Sequence, residues 1–116
     1  MCGIVGIVDT KAKVLPAEID AMRTCIVHRG PDADGTFTGG APGFAVGLGA
    51  QRLSIVDLTA AGNMPMSNED GSVWIVYNGE IYNHAEIRTR LEGRGHQYRS
   101  RTDTETVIHA YEEYGT

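Results

Sequence analysis

Met1-Cys2-Gly3-Ile4-Val5-Gly6-Ile7-Val8 opens the chain with an apolar run that starts almost at the N-terminus. Ile4 to Val8, with Gly6 inside, reads as a buried strand. A strand beginning there holds Cys2 at its end, fixed rather than frayed. The Cys2 side chain is small enough that removal of Met1 is expected, and removal leaves a thiol and a free α-amine on one residue. A thiolate nucleophile needs a base nearby. An α-amine titrates near ~8, closer to neutrality than any lysine, so nucleophile and base can share one residue. If Met1 is retained, that nitrogen is an amide and no base exists.

Outward from this strand, Pro16 to Val27 reads as a helix, with Ile19, Met22 and Ile26 on one stripe and Pro16 in its first turn. Cys25 lies near the stripe and is read as core. His28 to Gly40 is rich in Gly, Pro, Asp and Thr and reads as loop. Phe44 to Leu48 and Arg52 to Val56 read as strands, with loop over 57–71. Val73-Trp74-Ile75-Val76-Tyr77 is an unbroken apolar run that fits a strand buried on both faces. Asn78-Gly79 ends it in a turn with exposed backbone. A helix follows, with Asn83 as cap, Glu86 three residues on, Ile87 and Leu91 on one face and Gly93 at its end. His96 to Ser100 reads as a weak edge strand. Thr104 to Tyr114 reads as a second helix, with Asp103 as a cap and Gly115 as its stop. The pattern suggests α/β layers of the α+β kind, with antiparallel or mixed sheets.

Composition narrows the function. The 116 residues make one small domain. Net charge is −5, and no basic run exceeds two residues, which argues against nucleic acid binding by electrostatic attraction. Cys2 and Cys25 are the only cysteines, so there is no disulfide framework. His28, His84, His96 and His109 are scattered without metal-like spacing, and no metal is expected. No signal peptide and no apolar run near ~18 residues is present, so no membrane partner is expected. A reducing cytoplasm fits, and it would keep Cys2 a free thiol.

Five segments form a constellation: Met1-Cys2-Gly3-Ile4-Val5-Gly6-Ile7, His28-Arg29-Gly30-Pro31-Asp32, Arg52-Leu53-Ser54-Ile55-Val56-Asp57-Leu58, Tyr77-Asn78-Gly79-Glu80-Ile81-Tyr82-Asn83 and Thr102-Asp103-Thr104-Glu105. Together they resemble the N-terminal glutaminase domain of glutamine-hydrolysing asparagine synthetases, one of the amidotransferases with an N-terminal cysteine nucleophile. The resemblance spans residues 1–116. It implies a four-layer αββα sandwich of two antiparallel sheets between helices, here incomplete at its C-terminal side. It implies hydrolysis of the L-glutamine side-chain amide to glutamate and ammonia.

By that resemblance Cys2 attacks the amide carbon, and its α-amine takes and returns the proton. The Asn78 side-chain amide and the Gly79 N–H would stabilise the oxyanion. Arg52 would meet the substrate α-carboxylate, and Asp103 and Glu80 the ammonium side. His28-Arg29-Gly30-Pro31-Asp32 reads as a shaped loop near the glutamine pocket. Met64-Pro65-Met66 departs from the family's common Gln-Pro pair. No cofactor is expected for the glutaminase step. ATP and magnesium belong to the synthetase domain of a full-length parent, which is absent from this chain, and a homodimer is compatible with the family. Other readings stay open: an inactive fragment or homologue with a structural or regulatory role, a domain serving a different acceptor, or a hydrolase of a different amide.

Overall fold

The computed structural model describes residues 2–54 and 59–116. Strand β1 (Gly3–Asp9) pairs antiparallel with β3 (Phe44–Arg52), placing Gly3 opposite Gln51 and Val8 opposite Val46. On its other edge β3 pairs antiparallel with β2 (Ala33–Ala41), with Ala33 opposite Arg52, so the sheet order is β1-β3-β2.

The alternation of a strand decides which face each residue serves. One face is covered by α1 (Pro16–Thr24), whose start is fixed by the Glu18 carboxylate accepting the Leu15 N–H at 2.8 Å. Ile19 on α1 is fully buried. It fits there because β3 has glycines beneath it: a Cβ at Gly47 or Gly49 would stand 2.7 Å from Ile19 side-chain atoms. Burying such a side chain stabilises by ~1.5–3 kcal/mol. At the polar edge of the same face, Arg23 pairs with Asp34 at 2.7 Å, and Thr36 donates to Asp20 at 2.6 Å.

The other face meets a second sheet, β4 (Met66–Ser67) with β5 (Trp74–Ile75), also antiparallel. The rings of Phe37 on β2 and Trp74 on β5 stack with centroids 4.0 Å apart. Helices α2 (His84–Glu92) and α3 (Asp103–Tyr114) close the far side, α3 packing on β5 and α2 on α3 around the buried Leu91 and Ile108. Helix, sheet, sheet and helices therefore follow one another as layers, and the fold is α+β, consistent with the N-terminal-nucleophile hydrolase sandwich.

Several local expectations are corrected. The segment read as loop, 28–40, contains most of β2. Helix α1 ends at Thr24, short of Val27, and the chain tightens into a 3-10 turn at Val27–Arg29. Cys25, the residue after α1, is exposed rather than core, and its thiol donates to the Ala21 carbonyl at 3.5 Å. The strand read from Arg52 to Val56 is in part the end of β3: Leu53 and Ser54 join no ladder, and Ile55 and Val56 lie outside the described residues. Of Val73–Tyr77 only Trp74 and Ile75 are in a ladder, and the run is half-buried rather than covered on both faces. The loop 57–71 includes a 3-10 turn at Ala60–Gly62 and the short strand β4, while 57 and 58 lie outside the described residues. His96–Ser100 forms no strand. There the N–H groups of Arg99 and Ser100 both donate to the Glu105 carboxylate at 2.7 Å, which leaves neither for a ladder. Asn83 precedes α2 without a side-chain capping bond. The cap of α3 is Thr102, whose Oγ1 accepts the Glu105 N–H at 3.3 Å, and Asp103 is the first helical residue.

Candidate active site

Cys2 sits immediately before β1, half-buried. Its sulfur accepts the Leu53 N–H at 3.4 Å and lies 3.6 Å from the Leu53 carbonyl, to which the thiol donates. The end of β3 thus carries the seat of the thiol. The segment His28-Arg29-Gly30-Pro31-Asp32 locks that seat from behind. Arg29 Nε donates to the Cys2 carbonyl at 3.4 Å, the Asp32 N–H donates to the Arg52 carbonyl at 3.0 Å, and the Ser54 N–H donates to Asp32 Oδ2 at 2.8 Å. Gly30 is required by this approach, because a Cβ there would stand 2.4 Å from the Gln51 carbonyl oxygen.

In front of the sulfur lies a cavity of about 440 Å³ lined by Cys2, Asn78, Gly79, Glu80 and Asp103, with Leu53, Met64, Tyr77, Tyr82, Thr102 and Thr104 completing the wall. Five of the six residues singled out from the sequence are brought to one space. The Asn78-Gly79 turn leaves β5 toward the thiol, and Tyr77 at its root donates its N–H to Met64 Sδ at 3.3 Å. Asp103 reaches across from α3 and accepts the Ile81 N–H at 2.8 Å, pinning the same turn from the opposite side.

Arg52 is not among the cavity's lining residues. Its guanidinium is buried at the end of β3 and donates to the Thr59 carbonyl at 2.9 Å and to Asn63 Oδ1 at 2.7 Å. It lies just behind the wall, since the vacant Cβ position of Gly62 is 2.6 Å from Arg52 Nη2 and 2.7 Å from Thr102 Cγ2.

Sequence reasoning assigned no role to Glu105, which organises the floor. It is buried, and its carboxylate accepts the N–H groups of Arg99 and Ser100 and the Ser100 hydroxyl, shaping the loop that presents Thr102 and Asp103. The signal was an acid two residues after Asp103. Tyr77 and Tyr82 were legible only as parts of the Tyr77–Asn83 motif.

Fold and site together define a layered α+β domain in which a thiol at a strand end shares one cavity with an Asn-Gly turn. Comparison with known proteins makes the assignment sharper. A glutamine amidotransferase domain model matches residues 1–116. The chain is 42% identical over 118 residues to asparagine synthetase [glutamine-hydrolyzing] 1 of Bacillus subtilis, covering 98% of this chain and 18% of that protein. It is 39% identical over 119 residues to asparagine synthetase [glutamine-hydrolyzing] 1 of Arabidopsis thaliana, covering 99% of this chain and 19% of that protein. It is 36% identical over 129 residues to the putative asparagine synthetase [glutamine-hydrolyzing] 2 of Methanocaldococcus jannaschii, covering 99% and 24%. The chain belongs to the glutamine amidotransferase domain family. It spans between 18% and 24% of the length of these three relatives. Among the described residues no helix is long and apolar enough to cross a membrane.

Proposed function

We propose that this chain carries out the glutamine-hydrolysing step of a larger amidotransferase, with residues 1–116 as its catalytic domain. The observation that carries this reading is the convergence of Cys2, Asn78, Gly79, Glu80 and Asp103 on one cavity. The Cys2 thiolate attacks the side-chain amide carbon of L-glutamine, and the α-amine freed by loss of Met1 takes the thiol proton. The Asn78 amide and the Gly79 N–H stabilise the oxyanion, a service whose removal typically costs ~10²–10³ in rate. The α-amine returns the proton to departing ammonia, and water then releases glutamate from the thioester. Asp103 and Glu80 hold the substrate ammonium.

The family resemblance favours Arg52 for the substrate α-carboxylate, although its guanidinium lies behind Thr102, outside the cavity's lining. A second role for Arg52 is favoured by its bonds to Thr59 and Asn63, which clasp the 59–63 loop. The names of the relatives support asparagine formation as the use of the ammonia, in an ATP- and magnesium-dependent step performed elsewhere in a longer protein. The glutamine step itself needs no cofactor, and its setting is the cytoplasm.

Intact mass before and after exposure to an electrophilic glutamine analogue tests this reading, with Cys2→Ala as control. Loss of Met1 plus one adduct, absent from the control, is the expected result. An adduct that persists in Cys2→Ala, or none after Met1 loss, overturns the assignment of the nucleophile and its pocket.

A further inference from the structure

His96 lies in the turn after α2, reached through Gly95 with φ +99°. His109 and Glu112 lie three residues apart on one face of α3, where helical neighbours meet. The α2–α3 pairing brings all three together, although their sequence spacing resembles no familiar metal motif. His96 Nδ1 lies 3.3 Å from His109 Nδ1 and 3.6 Å from Glu112 Oε2, and His109 Nδ1 lies 3.0 Å from Glu112 Oε2. Atoms bound tetrahedrally to zinc at ~2.0–2.1 Å stand about 3.3 Å from one another. The three edges of this triangle bracket that value. We propose that His96, His109 and Glu112 form a binding site for a divalent transition-metal ion of the zinc type.

The surroundings match what metal-bound imidazoles require, namely an acceptor for the outer ring nitrogen. The outer nitrogen of His96, Nε2, faces Glu113 Oε2 at 2.9 Å. That bond places the ring proton on Nε2 and leaves the Nδ1 lone pair pointing inward. The outer nitrogen of His109 is buried and has no hydrogen-bond partner among the described residues, yet it lies 3.6 Å from Glu105 Oε1 and 3.9 Å from Glu69 Oε1. These carboxylates favour the tautomer with the proton on Nε2, which would leave the His109 Nδ1 lone pair facing inward. Two ring nitrogens facing each other at 3.3 Å share either the N–H of one neutral ring or a cation, and with both ring protons on the outer nitrogens a cation is the bridging species. The Glu112 carboxylate is aimed by Asn68, whose Nδ2 donates to Oε1 at 2.7 Å, leaving Oε2 for the ion. Arg94 pairs with the other oxygen of Glu113, so the cluster keeps a surplus of negative charge.

His96 and Glu112 are partly exposed, so the fourth position opens to water. A donor set of two imidazoles and one carboxylate suits zinc, and also nickel and copper, better than calcium or magnesium. Nine residues along α3 separate Asp103 from Glu112, about 13 Å of helix, so this site is distinct from the thiol cavity. A bound ion would tie the turn after α2 to the last turns of α3.

The test is a titration of the purified chain, in a Cys2→Ser, Cys25→Ser background, with Zn²⁺ by calorimetry and with Co²⁺ by visible absorption. The background removes both thiols as ligands. One ion per chain is expected, with the absorption bands of four-coordinate nitrogen and oxygen ligation. His96→Asn and Glu112→Gln, both at partly exposed positions, are expected to weaken binding at least tenfold and to abolish the rise in Tm that zinc gives, while circular dichroism stays unchanged. Absence of stoichiometric binding overturns the proposal. So does binding that neither substitution alters, which would place the ion on other surface groups such as His28 or His84.

Discussion

The Asp103 carboxylate accepts the Ile81 N–H at 2.8 Å, so the first residue of α3 and the turn carrying Asn78 and Gly79 are held as one unit. Charge and scaffold can be separated here. Asn at 103 can still accept that N–H but no longer offers a charge to the substrate ammonium. Loss of one charge-assisted bond is worth ~1.5–3 kcal/mol, roughly a factor of 10–100 in affinity. Steady-state glutaminase kinetics of Asp103→Asn should show KM for glutamine raised by that factor and kcat within about threefold. Unchanged KM with a collapsed kcat would remove Asp103 from the substrate-binding set.

Gly30 admits no side chain. Its Cβ would stand 2.4 Å from the Gln51 carbonyl oxygen and 2.6 Å from the Arg52 carbonyl carbon, both backbone atoms of β3. Backbone in a paired central strand gives way less readily than a side chain. Gly30→Ala should lower stability by about 2–4 kcal/mol, read as a fall in the urea midpoint.

Glu105 satisfies three donors with one buried carboxylate. Glutamine in its place offers a single acceptor oxygen and turns an amide N–H₂ toward donors. Leaving a buried donor unmade costs ~1–3 kcal/mol. In Glu105→Gln the Arg99 and Ser100 amides should exchange hydrogen at least tenfold faster. The loop presenting Thr102 and Asp103 should loosen with them, raising KM for glutamine as well.

The Thr36 hydroxyl donating to Asp20, with Arg23 beside it, holds the Asp20 carboxyl below its ordinary value of 3.8. A carboxylate with a depressed folded-state pKa contributes stability that is fully present above the unfolded value and lost as pH falls through the folded one. The urea midpoints of wild type and Asp20→Asn should therefore differ most above pH 5 and converge as pH drops below about 4. A gap that stays constant through that range would contradict the ionic role.

Much of the architecture was legible where periodicity and burial agree. Ile4–Val8 is a strand, but it is not buried as expected: Val5 and Ile7 are half-buried on the α1 side, whereas Ile4 and Val8 are exposed on the other face. Thr104–Tyr114 is a helix stopped at Gly115, whose φ is +73°. Strand β2 escaped because Asp34, Gly35, Gly39 and Gly40 are loop-forming by composition, and what makes them a strand is the ladder offered by β3. The absence of a strand at 96–100 was equally hidden, since it follows from one distant carboxylate taking the backbone donors. At the site, motif residues led to one cavity, whereas Arg52 came to rest behind the wall because its partners, Thr59 and Asn63, lie on a loop whose path no local pattern encodes. The His96–His109 approach depends on how α2 turns into α3, and sequence separation says nothing of it.

The seat of Cys2 has a practical side. Its carbonyl is held by Arg29, its sulfur by Leu53, and β1 starts at the very next residue. Anything fused ahead of Cys2 turns the amine into an ordinary peptide nitrogen, which removes the base the proposed reaction uses. Purification handles, dyes and surface-immobilisation tethers therefore do not belong ahead of Cys2.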